Sequence, residues 1–186
     1  MQQHENYFLN LYRLSAETPY QPGVREIWLS RTKADLPPDY LNMVDKTEAW
    51  ELAETAEEFS ELMDFIATLP FQATGRILVI YDDSGKAVPA HRDHLDTNVC
   101  QEFIWFRTNL KKPFYLLNPD TNEKKYVEGY SAWFDSVNQY HGSDAYDGLS
   151  YSIRVDGKFT DEFRNLIPQP DFNPASTAAL WACVSE

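Results

Sequence analysis

Residues 76–93 read RILVIYDDSGKAVPAHRD, and this stretch carries the pattern on which the fold assignment depends. The apolar run 76–81 is rich in β-branched side chains, which favour strands. The DDSGK segment that follows has a glycine where a tight turn needs positive φ. Residues 87–93 predict a second strand, which is expected to return as the partner of the first. The stretch therefore indicates antiparallel β structure from about residue 75 onward.

Short strand-like segments continue at regular spacing after this stretch. Each has β-branched or aromatic residues between turn signals, and they are 102–107, 113–118, 124–129, 131–136 and 149–157. In the last segment Ile153 and Val155 alternate with Arg154 and Asp156, as expected for a strand with one apolar face. About seven short strands separated by turns are typical of a sandwich, a barrel or a jelly roll.

The first third of the chain has a different pattern of residues, which is helical in part. Residues 47–69 carry apolar side chains at helical spacing, and Thr55 with Glu58 has the spacing of a capping box that would begin a second helix. We expect this helical part to pack on the outside of a sheet. The length suits a single domain, 1–186. Its expected parts are an N-terminal, partly helical support at 1–74, a jelly-roll core at 75–157 and a C-terminal extension at 158–186.

Charge and cysteine usage exclude several kinds of partner. The formal net charge of −13 repels phosphate backbones and anionic lipids, so we expect no nucleic-acid or membrane partner. Cys100 and Cys183 have no metal-type spacing, and a reducing compartment is the simplest one for them. The N-terminal residues lack a signal-peptide pattern, and the apolar runs are too short to span a bilayer. A cytoplasmic location is therefore expected.

Two overlapping His-x-Asp pairs lie at the end of the predicted strand 87–93. Alternate side chains of a strand share a face, so either pair presents an imidazole and a carboxylate to one point. The strand pattern favours His91 with Asp93, because the Asp-Thr-Asn that comes later is typical of a strand's end. The second pair, His94 with Asp96, and a polar turn without a metal are the alternatives.

A third ligand is needed, because two side chains hold a metal poorly. His141 is the best-placed candidate, since it follows a predicted strand and precedes the strand at 149–157. Two imidazoles and one carboxylate form a facial triad that suits Fe(II), because it leaves positions open for a cosubstrate and O2. Arg154 lies in the middle of that last strand, and a guanidinium inside a barrel needs a carboxylate, which a diffusible dicarboxylate would supply.

This order of residues resembles the Fe(II)/2-oxoglutarate-dependent dioxygenases, whose fold is the double-stranded β-helix, or jelly roll. The resemblance covers roughly residues 75–157. The segment PAHRDHLD (89–96) looks particularly like the first-ligand segment of the aspartyl/asparaginyl β-hydroxylase-like branch, which includes proline cis-hydroxylases. FIWFRTNL (103–110) resembles that branch's following strand, and VEGYSAWFDSVNQYHGSD (127–144) resembles the strand pair that leads to its distal histidine.

The resemblance implies roles for five side chains. His91, Asp93 and His141 match the iron ligands, and Arg154 matches the arginine that binds the far carboxylate of 2-oxoglutarate. Arg107 matches an arginine on an early strand, and in so acidic a chain we expect it to hold the carboxylate of a small substrate. A second contact with the cosubstrate and a structural ion pair are the alternatives for Arg107. The implied enzyme is a hydroxylase that uses Fe(II), 2-oxoglutarate and O2 on a free amino acid or a derivative, and that releases succinate and CO2.

Other functions fit parts of the same pattern. A peptide or protein side-chain hydroxylase would use the same metal and cosubstrate. A cupin-like metal protein that does not use 2-oxoglutarate would have no need of Arg154. In a non-catalytic barrel that binds a ligand or a partner protein, the histidines would be incidental.

Overall fold

The computed structural model describes residues 15–18, 22–33, 46–93 and 100–183. Within them the strands are β1 (Ala16–Glu17), β2 (Val24–Trp28), β3 (Ser30–Thr32), β4 (Trp50–Leu52), β5 (Phe71–Asp82), β6 (Val88–His91), β7 (Phe103–Arg107), β8 (Phe114–Asn118), β9 (Glu123–Tyr126), β10 (Ser131–Trp133), β11 (Tyr140–Ser143), β12 (Ser150–Phe159) and β13 (Trp181–Cys183). The helices of these residues are α1 (Ser60–Ala67), α2 (Asp161–Leu166) and two 3₁₀ helices, Thr47–Ala49 and Glu54–Phe59. No helix in this part of the chain is long and apolar enough to cross a membrane.

Eight consecutive strands, β5 to β12, form a jelly roll of two antiparallel sheets. The order β5-β12-β7-β10 is the centre of a seven-stranded sheet, which β1, β2 and β13 extend at its edges. The second sheet has the order β6-β11-β8-β9. The chain crosses repeatedly between the sheets, so strands far apart in sequence become neighbours, as in a double-stranded β-helix. The predicted mainly β, jelly-roll fold is confirmed.

The long strand β12 has one apolar face, which packs in the hydrophobic core, and one polar face. Ile153 and Val155 are buried on one face, where they pack with Val79 of β5 and with the helical segment that covers this sheet. Complete burial of such a side chain contributes about 1.5–3 kcal/mol, so this face favours a single register of the strand. Arg154 and Asp156 alternate with these residues and therefore lie on the opposite face.

The predicted helix over 47–69 is only partly correct. Trp50–Leu52 form β4, because pairing with β3 satisfies the backbone there and buries the tryptophan. Thr47–Ala49 form a short 3₁₀ helix before this strand, and helical structure resumes at residue 54 and continues to residue 67, first as 3₁₀ and then as α1. Thr55 does not cap a helix, since its hydroxyl donates to the backbone oxygen of Trp28. The predicted apolar side chains do pack against the sheet, and they are Phe59, Leu62, Met63, Ile66 and Leu69.

The segment after the first turn forms β6, which belongs to the second sheet. The turn itself is as predicted, because Gly85 has a φ of 68° and the carboxylate of Asp82 accepts hydrogen bonds from the backbone and hydroxyl of Ser84. However, β6 pairs with β11 and not with β5, so the expected hairpin does not form. His141 lies within β11, where the sequence predicted a position after a strand. Both differences follow from the crossing connections of a jelly roll, which place the next strand in the facing sheet.

Candidate metal centre

Two histidines face each other across neighbouring strands. His91 is the last residue of β6, His141 lies in β11, and the register makes them direct cross-strand partners. Their ring centroids are 4.4 Å apart. Cross-strand partners share a face of a sheet, so the pairing of these two strands brings together imidazoles that are far apart in sequence.

Asp93 completes a cluster of three ligand side chains. Its backbone N–H donates to the oxygen of Ser136 at 2.9 Å, which holds the segment after β6 against the connection between β10 and β11. Its Oδ1 lies 3.3 Å from Nε2 of His141 and 3.9 Å from Nε2 of His91. One ligand atom from each residue lies within 4.8 Å of the other two. The structure thus brings together the three ligands that the sequence indicated.

Backbone carbonyls orient both imidazoles. Nδ1 of His91 lies 2.9 Å from the oxygen of Pro89, and Nδ1 of His141 lies 3.1 Å from the oxygen of Gln139. Because a carbonyl oxygen only accepts, Nδ1 carries the proton in each ring, and Nε2 of a neutral ring presents a lone pair toward Asp93. With both rings neutral, two lone pairs and a carboxylate oxygen would face one another, and a metal cation between them would stabilise this arrangement.

The spacing of the donors fits a divalent metal ion. A metal about 2.1 Å from each donor places neighbouring donors roughly 3 Å apart. The 3.3 Å between Asp93 and His141 is already close to that value. A small rotation of His91, whose side chain is 47% exposed, would bring its nitrogen nearer. Two imidazoles and one carboxylate are a donor set that suits Fe(II).

Charges around the cluster favour a metal ion over protons. Burial opposes ionisation of Asp93, but the Arg154 guanidinium holds the pKa of this carboxyl well below its usual range. Burial lowers the pKa of His91. At neutral pH the carboxylate is therefore ionised and the His91 ring is neutral, which are the forms that bind metals.

Arg154 lies directly behind the cluster. Its Nη1 donates to Oδ2 of Asp93 at 2.7 Å, its Nε donates to Asp156 at 2.9 Å, and its Nη2 donates to Gln101 at 2.8 Å. Asp156 is 1% exposed and also accepts from Nε of Arg76 at 2.8 Å. Side chains of opposite charge thus alternate from the candidate metal ligand Asp93 through Arg154 and Asp156 of β12 to Arg76 of β5. The predicted role of Arg154 toward 2-oxoglutarate stays a prediction.

The sequence analysis missed three members of this network. The alternation of β12 does place Asp156 on the same face as Arg154, so a search for charged residues on that face would have found it. Gln101 and Arg76 carry no such signal, because only the pairing of strands and the path of the chain before β7 bring them to the site.

Aromatic rings and one hydroxyl lie beside the cluster. The rings of Phe114 and Phe134 lie 6.1 and 5.0 Å from the ring of His141, and Trp105 packs on Phe114 at 4.6 Å. Ser143 is 6% exposed, and its Oγ has no hydrogen-bond partner among the described residues. A buried hydroxyl without a partner is costly, so the position of Ser143 suits contact with a polar ligand.

Arg107 donates hydrogen bonds to backbone carbonyl groups. Its guanidinium donates to the carbonyl oxygens of Gly129 at 3.2 Å, of Lys112 at 3.1 Å and of Val127. The residue is 6% exposed, and these bonds tie the end of β7 to the connections that precede β8 and β10. Its predicted contact with a substrate carboxylate stays a prediction, and that contact would require some of these bonds to break.

The alternative ligands His94 and Asp96 lie outside the described residues. Substitution of His91 and of His94 distinguishes the two His-x-Asp pairs.

Comparison with known proteins finds no matching family model and no matching curated protein. Solved structures similar to the chain include a Pseudomonas putida prolyl-4-hydroxylase, with 11% sequence identity, a TM-score of 0.48 and coverage of 84% of this chain and 83% of that chain. They also include a Trichoplax adhaerens prolyl hydroxylase in complex with a peptide fragment of the hypoxia inducible factor oxygen degradation domain. Its sequence identity is 14% and its TM-score 0.48, with coverage of 89% of this chain and 80% of that chain. Likeness at this level does not establish a shared activity.

Proposed function

We propose that the chain is an Fe(II)- and 2-oxoglutarate-dependent oxygenase that hydroxylates a small, amino-acid-like substrate. One observation carries the proposal, namely that Nε2 of His91, Nε2 of His141 and Oδ1 of Asp93 converge within a jelly roll. The resemblance of the segments around these ligands to the dioxygenases supports the same function.

His91, Asp93 and His141 would hold the iron. When bound, an Fe(II) ion would supply activation of O2 at the coordination positions that these three side chains leave open. The chain's own part is to direct the two Nε2 atoms and one carboxylate oxygen to a single point. The aromatic side chains of Phe114 and Phe134 make the side of the site next to His141 apolar.

Arg154 is the candidate anchor for the far carboxylate of 2-oxoglutarate. Among the described residues its three hydrogen bonds use three of its five N–H groups, which leaves one on each terminal nitrogen for a ligand. Arg76 and Arg154 are matched by the carboxylates of Asp156 and Asp93, so it is a bound divalent metal ion that would give this network the positive charge that favours an anion nearby. The hydroxyl of Ser143 would supply a further donor.

His91 places the proposed metal site near the surface of the jelly roll, because its side chain is the exposed member of the three ligands. A site near the surface would be accessible to a free amino acid, whose carboxylate would be bound by Arg107 in our proposal. It would also be accessible to an extended peptide, so a peptide or protein side-chain hydroxylase is the second candidate. A cytoplasmic location is part of the same proposal.

Succinate formation tests the proposed function. Protein stripped of metal by a chelator is supplied with Fe(II), 2-oxoglutarate and O2, and it is screened against single amino acids and short peptides. We expect succinate release that requires Fe(II) and increases with an amino acid. Release with peptides alone would support the second candidate. No release from a protein that binds metal would contradict the oxygenase and favour a cupin-like metal protein.

His141→Ala should lose metal binding and succinate formation together, because two remaining ligands hold a metal ion poorly. Calorimetric titration with Mn(II), without 2-oxoglutarate, measures the first effect. His94→Ala is the matched control and should keep both properties. If His94→Ala loses metal while His91→Ala keeps it, the second His-x-Asp pair supplies the ligands and our ligand set is wrong.

A further inference from the structure

We propose that Arg154 is a positioning residue of the metal site, which makes Asp93 a ligand through one oxygen only. The inference rests on the metal centre of the proposed function, but it does not depend on 2-oxoglutarate. It is a role in addition to the carboxylate anchor described above, and it acts on the metal through Asp93.

The two carboxylate oxygens of Asp93 have different partners. Oδ1 is the oxygen near the imidazoles, 3.3 Å from His141 and 3.9 Å from His91. Oδ2 accepts from Nη1 of Arg154 at 2.7 Å, which is the short distance of a charge-assisted hydrogen bond. A metal ion that binds Oδ1 therefore meets a carboxylate whose second oxygen is already engaged.

Arg154 is itself held from several directions. Nε donates to Asp156 at 2.9 Å and Nη2 donates to Gln101 at 2.8 Å. The guanidinium carbon lies 4.0 Å from the centroid of the Phe103 ring. The side chain is only 12% exposed, so bulk water is a poor substitute for these contacts. The guanidinium is thus fixed where it meets Asp93.

Asp156 is the support for this arrangement. One of its oxygens accepts from Arg154 and the other accepts from Arg76 of β5 at 2.8 Å. A carboxylate that is 1% exposed would be costly without partners, so both guanidiniums stay engaged with it. Because Arg76 occupies one oxygen, Arg154 bonds the other through Nε, and its terminal nitrogens are left to face Asp93 and Gln101.

The consequence concerns the number of open coordination positions. Two imidazoles and one carboxylate oxygen occupy about three of the six positions around an octahedral metal ion. A carboxylate that binds through both oxygens would occupy about one more. By engaging Oδ2 of Asp93, Arg154 keeps about three positions available for solvent and small ligands.

Mn(II) without 2-oxoglutarate is the probe for the experiment. Water molecules bound to Mn(II) are counted by electron spin-echo spectroscopy in isotopically labelled water. We expect about three waters in the wild-type protein and about two in Arg154→Met, in which Oδ2 is released and joins the metal. Arg31→Met removes an exposed guanidinium that pairs with Glu51, and this control should keep the wild-type number.

Two waters in the wild-type protein, or an unchanged number in a folded Arg154→Met protein, would overturn the inference. A wild-type count of two waters decides against the inference even where the variant does not fold. Failure of the proposed function gives a different result, because Mn(II) with three waters and no succinate from 2-oxoglutarate would contradict the oxygenase alone. Mn(II) binding that survives Asp93→Ala unchanged would contradict both.

Discussion

At the scale of single residues, each proposed ligand is directed by a hydrogen bond with a neighbour. His91 and His141 use the same local arrangement, in which Nδ1–H donates to the carbonyl oxygen two residues earlier. Arg154 orients Asp93 by donating a hydrogen bond from Nη1 to its Oδ2. Loss of such outer contacts typically lowers metal affinity 10–100-fold, so we expect the site to depend on more than its three ligands.

Arg154→Ala should weaken the binding of 2-oxoglutarate. One charge-assisted pair contributes on the order of 1.5–3 kcal/mol, so the affinity should fall roughly ten- to a hundredfold. The measurement is calorimetric titration with 2-oxoglutarate at saturating Mn(II), which keeps any change in metal affinity out of the result. The same affinity in the variant and in wild type would reject the anchor role, and Arg107 would be the next candidate.

Arg107→Lys should lower the free energy of unfolding by about 2 kcal/mol or more, because one ammonium cannot reach the carbonyls that the planar guanidinium bonds. Urea unfolding measures the change. Arg31→Lys is the control, since an exposed ion pair contributes about 0–1 kcal/mol. Wild-type stability combined with impaired turnover would instead indicate that Arg107 acts on a substrate carboxylate.

At the scale of elements, the β6–β11 pair assembles the ligands and β12 supports them. The register of β6 and β11 sets His91 opposite His141 and shifts between His141 and Ser143. Strand β12 lies between β5 and β7, so Asp156 of this strand receives Arg76 from β5 and Arg154 from its own strand. The same guanidinium of Arg154 reaches Gln101 just before β7 and Asp93 after β6. The ligands thus come from one sheet and the segment that follows β6, and their supporting charges come from the other sheet.

Gly142→Ala should push β6 away from β11. A Cβ atom at this position would lie 2.6 Å from the backbone oxygen of Val88 and 2.7 Å from the hydroxyl oxygen of Tyr115, so one strand must shift. Since His141 is the adjacent residue, we expect Mn(II) affinity to fall roughly tenfold or more. Overpacking should also lower the free energy of unfolding by about 1–3 kcal/mol. Calorimetry and urea unfolding measure the two effects.

Ser143→Ala is the control for this prediction. It changes the next residue of β11, but it removes a hydroxyl that has no partner among the described residues, so stability should stay near that of wild type. Wild-type Mn(II) affinity in Gly142→Ala would show that the ligand geometry does not depend on close approach of these two strands.

At the scale of the whole molecule, an acidic protein holds a balanced network of two arginines and two aspartates at its candidate metal site. The net charge is −13, which would oppose the approach of the proposed anionic cosubstrate. Salt screens such long-range repulsion beyond about 8 Å, so the local guanidiniums and a bound metal ion would decide the binding. Strands from the N-terminal third and the C-terminal end, β1, β2 and β13, extend the same sheet as the jelly-roll strands. The division of the chain into support, core and extension stays a prediction.

Thiol reactivity reports on the packing of the whole molecule. Burial and the Asp135 carboxylate raise the pKa of Cys100, so this thiol has very little thiolate at neutral pH. Cys183 is exposed. We therefore expect alkylation to modify Cys183 first and Cys100 only as the protein unfolds, with the modified cysteine identified by mass spectrometry. Equal rates at the two cysteines in the folded protein would contradict the packing around Cys100.

The sequence alone determined the strand character of the chain from about residue 75 onward, the turn at Gly85 and the three candidate ligand residues. These properties are local, because alternation with a period of two and a glycine at positive φ act within a few residues. The jelly-roll fold could be predicted from the number and spacing of such segments, together with the resemblance of their motifs to a known family.

Only the tertiary structure decided which strands become neighbours. It placed β6 beside β11 in the second sheet, made a strand of Trp50–Leu52, and gave Arg154 the carboxylates of Asp93 and Asp156 as partners. No local pattern specifies these contacts, because strand pairing depends on how the chain crosses between two sheets and on which apolar faces are buried together. The residue types at the site are local information, whereas the orientation of each side chain there is set by neighbours that are distant in sequence.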